Sequence, residues 1–466
     1  MVYLFTAIPF LVVILATLAM VGWVGFTLSR PELSVLALLA VLIAFSGSTY
    51  GQLEAENTVY ARGTGMLYFS LINFYLWGTG VVVVLRNAFA RARPEATPLA
   101  KYFAAFTFLI LGNAFVAGAS GDSSLHIIDA FSYSGLLHII NMAVLFYVVV
   151  NVFGCPARAR KLLRFLLIAI GLRGIFGMVR WALFGGDSAN VYGNIEHVGI
   201  KLTFFDINDG FLATLAIFCS AWLLSYRQQF LSKRERYALW GLLLLEIAVI
   251  VLSFRRSSLV GMALAAVLFI TLLPARKRFG AILFSGGVVL GGIALLTTLR
   301  LGGGRGKSVG FLYDILGDGK SEKSTSRILE YTETWHSLGD YWLFGKGMWG
   351  TMQSNLAELS YHVGNFAFVH NGFGHILLKS GVFGVAMFLG LLGSFALHYL
   401  HARKNLSGDL RMLADAGAAG VLFWLPTLLI GTPIIEFRSM MMLGLALALP
   451  FIAVRASAIE TRHVAA

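Results

Sequence analysis

The stretch YALWGLLLLEIAVIVLSFRRSSLVGMALAAVLFITLL, residues 237–273, settles the fold class. It holds two apolar runs, 237–254 and 257–273, each close to the roughly 20 residues that cross a bilayer core. A short turn joins them, and it carries Arg255 and Arg256. Working outward, apolar segments recur at 3–28, 33–49, 65–85, 102–120, 134–153, 165–184, 210–226, 281–299, 372–398, 412–430 and 436–454. The segment 33–49 is short enough to be a tilted or re-entrant piece, so 12 or 13 spans are expected. Of the 466 residues, 58% are apolar and 13% charged. Soluble domains run at about 45–50% and about 25%, so charge is too scarce here to clothe a soluble surface of this length. The chain reads as an all-α, polytopic helical membrane protein.

The same arithmetic excludes other classes. Two cysteines, Cys155 and Cys219, make no disulfide framework. The net charge of +13 sits mostly in short segments between apolar runs, which marks it as orientation charge rather than a nucleic-acid surface. The first apolar run has neither a basic leader nor a small-residue cleavage site, and is expected to be a retained helix.

Basic clusters set the orientation. They are Arg86, Arg91, Arg93 and Lys101; Arg158, Arg160, Lys161 and Arg164; Arg227, Lys233, Arg234 and Arg236; Arg276, Lys277 and Arg278; and Arg403, Lys404 and Arg411. An even number of spans separates each from the next, so all face the cytoplasm together, with the C-terminus. The opposite loops carry acids, among them Glu54, Asp122, Asp187, Asp206 and Asp209. Three parts follow: a helix bundle at 1–299, an external loop domain at 300–371, and helices completing the bundle at 372–466. The long loop is too aromatic for disorder. From Ser326, a plausible N-cap, it reads as an amphipathic helix with Ile328, Tyr331, Trp335 and Leu338 on one stripe.

Three features on the external side suit chemistry. Arg255 and Arg256 lie where basic residues are usually avoided; they either snorkel to headgroups or clamp an anion, because guanidinium forks match phosphate oxygens. Ser324-Thr325-Ser326-Arg327 at a helix start is either ordinary capping or a second anion site. His370-Asn371, where the long loop re-enters the membrane beside a glycine-rich helix start and the embedded Lys379, offers a group that takes a proton near neutral pH, or a structural histidine. Asn371 would orient that imidazole or bind a hydroxyl. Arg173, Arg180, Glu246, Glu436 and Arg438 are further ionisable groups within or at the ends of spans, expected to pair or to line a ligand path. The run 301–308, LGGGRGKS, resembles a phosphate loop, but Leu301 replaces the first glycine and the segment faces outward, so a glycine hinge is the better reading. No Cys/His cluster or acidic pair has metal-ligand spacing, so no metal or other cofactor is expected.

His370-Asn371 followed by Gly381-Val382-Phe383-Gly384 resembles the histidine motif of the O-antigen ligase and O-antigen polymerase superfamily. Ser326-Arg327 through Leu343-Phe344-Gly345-Lys346-Gly347 resembles that family's serine-arginine and Pro-Leu-Phe-Gly-x-Gly pattern, with Tyr341-Trp342 in place of Asn-Pro. Ser253-Phe254-Arg255-Arg256-Ser257 is similar to its Ser-Arg-Gly element; either arginine could be the match, and Arg256 is preferred. The resemblance covers residues 200 to 400. It implies a metal-independent, inverting glycosyltransferase of the inner membrane, acting at the periplasmic face on an undecaprenyl-diphosphate-linked glycan. His370 would be the general base on the acceptor hydroxyl. Arg256 and Arg327 would hold the diphosphate, with Arg255 in support, and Ser326, Asn371, Lys379 and Trp335 would contact diphosphate or sugar.

The acceptor would be lipid A-core for a ligase or a lipid-linked repeat unit for a polymerase. The close histidine motif and the single large outer loop favour the ligase. A lipid-linked glycan transporter is the rival outside enzymes, but the expected half-to-half repeat is missing. A purely binding or sensory protein has no use for a proton-accepting histidine between anion clamps.

Overall fold

The computed structural model describes residues 18–45, 70–90, 97–121, 130, 135–184, 205–253, 255–301, 322–354, 364–367 and 369–465. Some side chains within these ranges, those of Arg256 and residues 322–328 among them, fall outside the description. A helix stands at the place of each apolar segment. These helices are α1 (Leu18–Ser29) and α2 (Pro31–Ala44), then α3 (Leu71–Phe89), α4 (Ala100–Ser120), α5 (Leu137–Phe153) and α6 (Pro156–Phe184). They continue with α7 (Ile207–Tyr226), α8 (Lys233–Leu252), α9 (Arg256–Leu272) and α10 (Ala275–Leu301). The long loop contributes α11 (Glu322–Leu338) and an antiparallel hairpin of β1 (Met352–Ser354) and β2 (Gly364–Phe366). The chain closes with α12 (Gly372–Arg403), α13 (Gly408–Ile430) and α14 (Phe437–Ala465).

Among the described residues, six helices, α3, α6, α7, α12, α13 and α14, are long and apolar enough to cross a membrane. The pair α1–α2, bent by 113° on either side of Arg30, adds a seventh if it is one broken span. The apolar parts of α4, α5 and α9 are shorter, and α8 carries charges in its first turn and at Glu246, so the count among the described residues is lower than the 12 or 13 spans expected. The run 302–308 and the acidic Glu54, Asp122 and Asp187 lie outside the described residues.

A helix that is apolar all round belongs in the middle of a bundle. α14 is such a helix: from Met440 to Leu443 and from Leu445 to Leu449 its side chains are at most 1% exposed. It packs against α13 and α5, while α7 and α9 close on α13. The outer helices turn large apolar side chains outward, including Phe74 and Phe89 on α3, Phe108 and Phe115 on α4, and Ile168 and Leu183 on α6. So wide an apolar exterior is lipid-facing surface.

α6 begins at Pro156, earlier than the apolar segment, so its basic cluster lies in the first helical turns rather than in a loop. The N-terminal dipole disfavours those charges, and acids drawn from other elements offset them: Arg158 faces Glu32 at 3.9 Å, and Arg160 bonds Glu460 at 2.6 Å.

Candidate active site

α12 brings the histidine motif to one end of the bundle. Asn371 is its N-cap, and the carboxamide Oδ1 accepts the Gly374 N–H. A Cβ at Gly374 would lie 2.1 Å from that oxygen, so glycine is what lets the cap close. Asn371 is fully buried, and its Nδ2 has no partner among the described residues. Gly372 comes against the end of α13, where a Cβ would meet the Leu428 carbonyl at 3.0 Å.

His370 stands just before this cap, with its side chain 28% exposed. Its Nδ1 is 3.1 Å from Oε1 of Glu330, and its backbone N–H donates to Oε2 of the same carboxylate at 3.0 Å. A carboxylate only accepts, so Nδ1 of the ring carries the proton shared with Glu330. Glu330 itself is fully buried in α11. It is the residue that the sequence reading passed over, although it stands one position from Tyr331 in the helix already recognised there.

α11 starts five residues earlier than expected, so Ser326 lies inside the helix rather than at its N-cap, which corrects that assignment. The buried stripe differs too. Glu330, Thr334 and Leu338 face inward, whereas Trp335 is half exposed and Tyr331 only partly covered. The stripe is rotated by one residue because its polar members find partners: Thr334 Oγ1 donates to the Glu330 carbonyl at 2.6 Å, and Glu330 holds His370. Tyr331 ties the helix down at its other edge, donating to the Leu429 carbonyl at 3.0 Å. Burial first, and then the Glu330 charge, push the Tyr331 phenol up to about 12. Arg327 lies three residues before Glu330 in α11, one turn along the helix.

The expected glycine patterns turn out to be two halves of one clasp. Gly381 interrupts α12 with φ 63°, and Gly345 has φ 74°. A Cβ on Gly345 would stand 2.5 Å from the nitrogens of Ser380 and Gly381, and one on Gly381 would stand 2.4 Å from the Leu343 carbonyl. Through the gap, Lys346 N–H donates to Leu378 O at 2.9 Å, and the N–H groups of Val382 and Phe383 donate to Trp342 and Leu343. Lys379 is fully buried and donates to the carbonyls of Met348 at 3.0 Å and Gly350 at 2.7 Å. These bonds secure the loop to α12.

Arg255 is the N-cap residue of α9 and Arg256 its first residue. Nε of Arg255 donates to the Phe205 carbonyl at 3.4 Å. Next to Phe205 lies a buried ionic knot. Arg438 donates to both oxygens of Asp206, at 2.9 and 2.8 Å, and to Asp209 at 3.0 Å; Arg173 makes a bidentate pair with Asp209 at 3.1 and 3.2 Å. The same arginines cap the end of α2 through the carbonyls of Leu42, Ile43 and Ala44. Asp206 and Asp209 form the capping box of α7. These are the pairings that could not be assigned from sequence. Glu246 is buried near Gly174, where a Cβ would meet its Oε1 at 2.6 Å, and Glu436 accepts from Ser439.

All these parts share one end of the bundle. α9 crosses α13 closely enough for a Cβ on Gly261 to meet the Phe423 carbonyl at 2.6 Å. A few residues further along α13, Leu428 touches Gly372 and Leu429 accepts from Tyr331. The starts of α9 and α12 and the body of α11 therefore gather around the end of α13. Among the described residues no three His, Cys, Asp or Glu side chains come together as metal ligands.

An imidazole held by a buried carboxylate thus stands at the same end of the bundle as the starts of α9 and α12. Residues 241–389 match the family model for O-antigen ligase, a family of O-antigen ligase- and polymerase-type membrane glycosyltransferases. The match takes in Arg255, Arg256, α11, the clasp and His370–Asn371, which supports the superfamily read from the motifs. No curated protein matches the chain.

Proposed function

We propose that this protein transfers a glycan from a polyprenyl-diphosphate carrier to an acceptor hydroxyl, and that it is a ligase placing O-antigen on lipid A-core. The observation that carries the reading is the double grip of buried Glu330 on His370. With Nδ1 held on the carboxylate, Nε2 takes the proton from the acceptor hydroxyl as its oxygen attacks the anomeric carbon. Attack from the face opposite the diphosphate inverts that carbon. The bond to the diphosphate breaks, and the departing group keeps the electron pair and gathers negative charge. Arg256 and Arg327, with Arg255 behind them, are the cations assigned to that charge, and preorganised charge is most effective where it meets charge that develops in the transition state. Asn371 Nδ2 is a donor suited to a sugar hydroxyl, and the half-exposed Trp335 ring is a surface for a sugar face.

The distribution of basic residues supports a reading in which this end of the bundle faces the periplasm at the bacterial inner membrane, with the C-terminus in the cytoplasm. The close histidine motif and the single large outer loop favour a ligase over a polymerase. Reconstitution with a labelled undecaprenyl-diphosphate glycan and lipid A-core tests the reading. Label joined to lipid A-core is expected. Label joined only to another carrier-linked repeat unit would assign a polymerase, and label moved across the bilayer without transfer would assign a transporter.

A further inference from the structure

A cleft of about 430 Å³ between α7, α8, α9 and α10 has no part in the proposed reaction. Its wall is apolar, formed by residues such as Leu243, Met262, Ala265 and Phe269. Along α7 the lining runs from Thr214 to Ser225, about 16 Å at the helical rise and thus about half of the roughly 30 Å hydrocarbon core. The cleft therefore has the depth of a single leaflet. Its flank carries Trp240 and Phe284, packed edge to face at 6.1 Å and each more than 40% exposed, in the manner of aromatics at a membrane interface.

The mouth is cationic. Arg276 and Lys277, from the first turn of α10, line it together with Gln228. Their neighbour Arg278 is spent on capping the end of α9, donating to Leu273 O at 2.9 Å and Thr271 O at 3.1 Å. Lys277 reaches the Ser225 carbonyl at the rim, and Arg276 is exposed to whatever enters. A cleft one leaflet deep, apolar inside and basic at its rim, complements a lipid with one acyl chain to bury and a negative headgroup.

We infer that this cleft binds an anionic glycerophospholipid from the leaflet on the basic side, with one acyl chain against Met262 and Ala265 and its phosphate at Arg276 and Lys277. Native mass spectrometry of the full-length protein, offered phosphatidylglycerol or phosphatidylcholine with the same chains, tests this. Wild type should retain phosphatidylglycerol with about tenfold preference, the scale set by two interfacial cations. Arg276→Gln with Lys277→Gln should bring the two lipids to parity. Ala281→Trp, which fills the cleft from α10, should abolish retention of both. Equal retention of both lipids by wild type would overturn the inference. So would a preference unchanged in both variants, or displacement of phosphatidylglycerol by an equal amount of a polyprenyl phosphate.

Discussion

Glu330 and His370 meet twice: Oε1 of the carboxylate is 3.1 Å from Nδ1 of the ring, and Oε2 accepts the backbone N–H of the same residue at 3.0 Å. One contact fixes the tautomer and the other fixes the backbone, so the imidazole is aimed by a side chain 40 residues upstream. Glu330→Gln should keep the packing and lose the charge. Transfer should fall by about 100-fold or more, the usual worth of a positioned acid–base group. A neighbouring carboxylate favours the imidazolium, so the acid limb of the pH–rate profile should move to lower pH in this variant. A rate loss with an unmoved profile would make Glu330 a structural residue only.

The clasp explains why both glycines are needed. Gly381→Ala puts a methyl group 2.4 Å from the Leu343 carbonyl on a residue with φ 63°. The left-handed conformation alone costs about 1–2 kcal/mol. Faster proteolysis of the 341–350 segment and loss of transfer are expected. Gly393→Ala in the same helix meets nothing within 4 Å and should be neutral.

The ionic knot makes a stability prediction. Arg438→Ala leaves Asp206 and Asp209 buried without their shared cation, which typically costs about 3–5 kcal/mol. A large drop in melting temperature in detergent should follow. Arg438→Lys should rescue little of it, because one ammonium cannot replace a guanidinium that reaches both carboxylates and the carbonyls of α2.

Asn371 separates capping from substrate contact. Asn371→Ala removes the cap and should cost about 1 kcal/mol as well as transfer. Asn371→Asp keeps the acceptor for Gly374 N–H and replaces the Nδ2 donor by a carboxylate oxygen, whose charge the helix N-terminus favours. Near-normal thermal stability with impaired transfer is expected. Full activity in Asn371→Asp would remove Asn371 from the acceptor site.

Alkaline pH should loosen α11. The Tyr331 phenol, raised from 10.0 to about 12 by burial and Glu330, favours its neutral form in the folded protein. Its contribution is complete below pH 10 and is lost as pH rises through about 12. Proteolysis within α11 should accelerate over that window. Tyr331→Phe, which cannot ionise, should remove this dependence while also losing the bond to Leu429.

The positions of the helices were legible from hydropathy, but their spanning length was not: among the described residues a helix stands at each marked segment, yet only six or seven are long and apolar enough to cross a bilayer. The glycine and histidine motifs were legible as patterns but not as a contact. Nothing along the chain says that Gly345 faces Gly381 until the break in α12 is seen. The buried face of α11 was misread because periodicity assumes that apolar residues turn inward. Glu330 and Thr334 do so because His370 and a backbone carbonyl satisfy them, while Trp335 stays outside. Lys379 looked like a ligand-binding cation within the membrane. The two loop carbonyls that accept from it are invisible to spacing rules.

The most direct test measures donor binding and glycan transfer in parallel on purified Arg256→Ala, Arg327→Ala and His370→Ala. If the arginines hold the diphosphate and His370 takes the acceptor proton, both arginine variants should bind the polyprenyl-diphosphate glycan at least about tenfold more weakly. His370→Ala should bind it normally and fail to transfer. Wild-type transfer by His370→Ala, or undiminished donor binding in both arginine variants, would contradict the proposed chemistry.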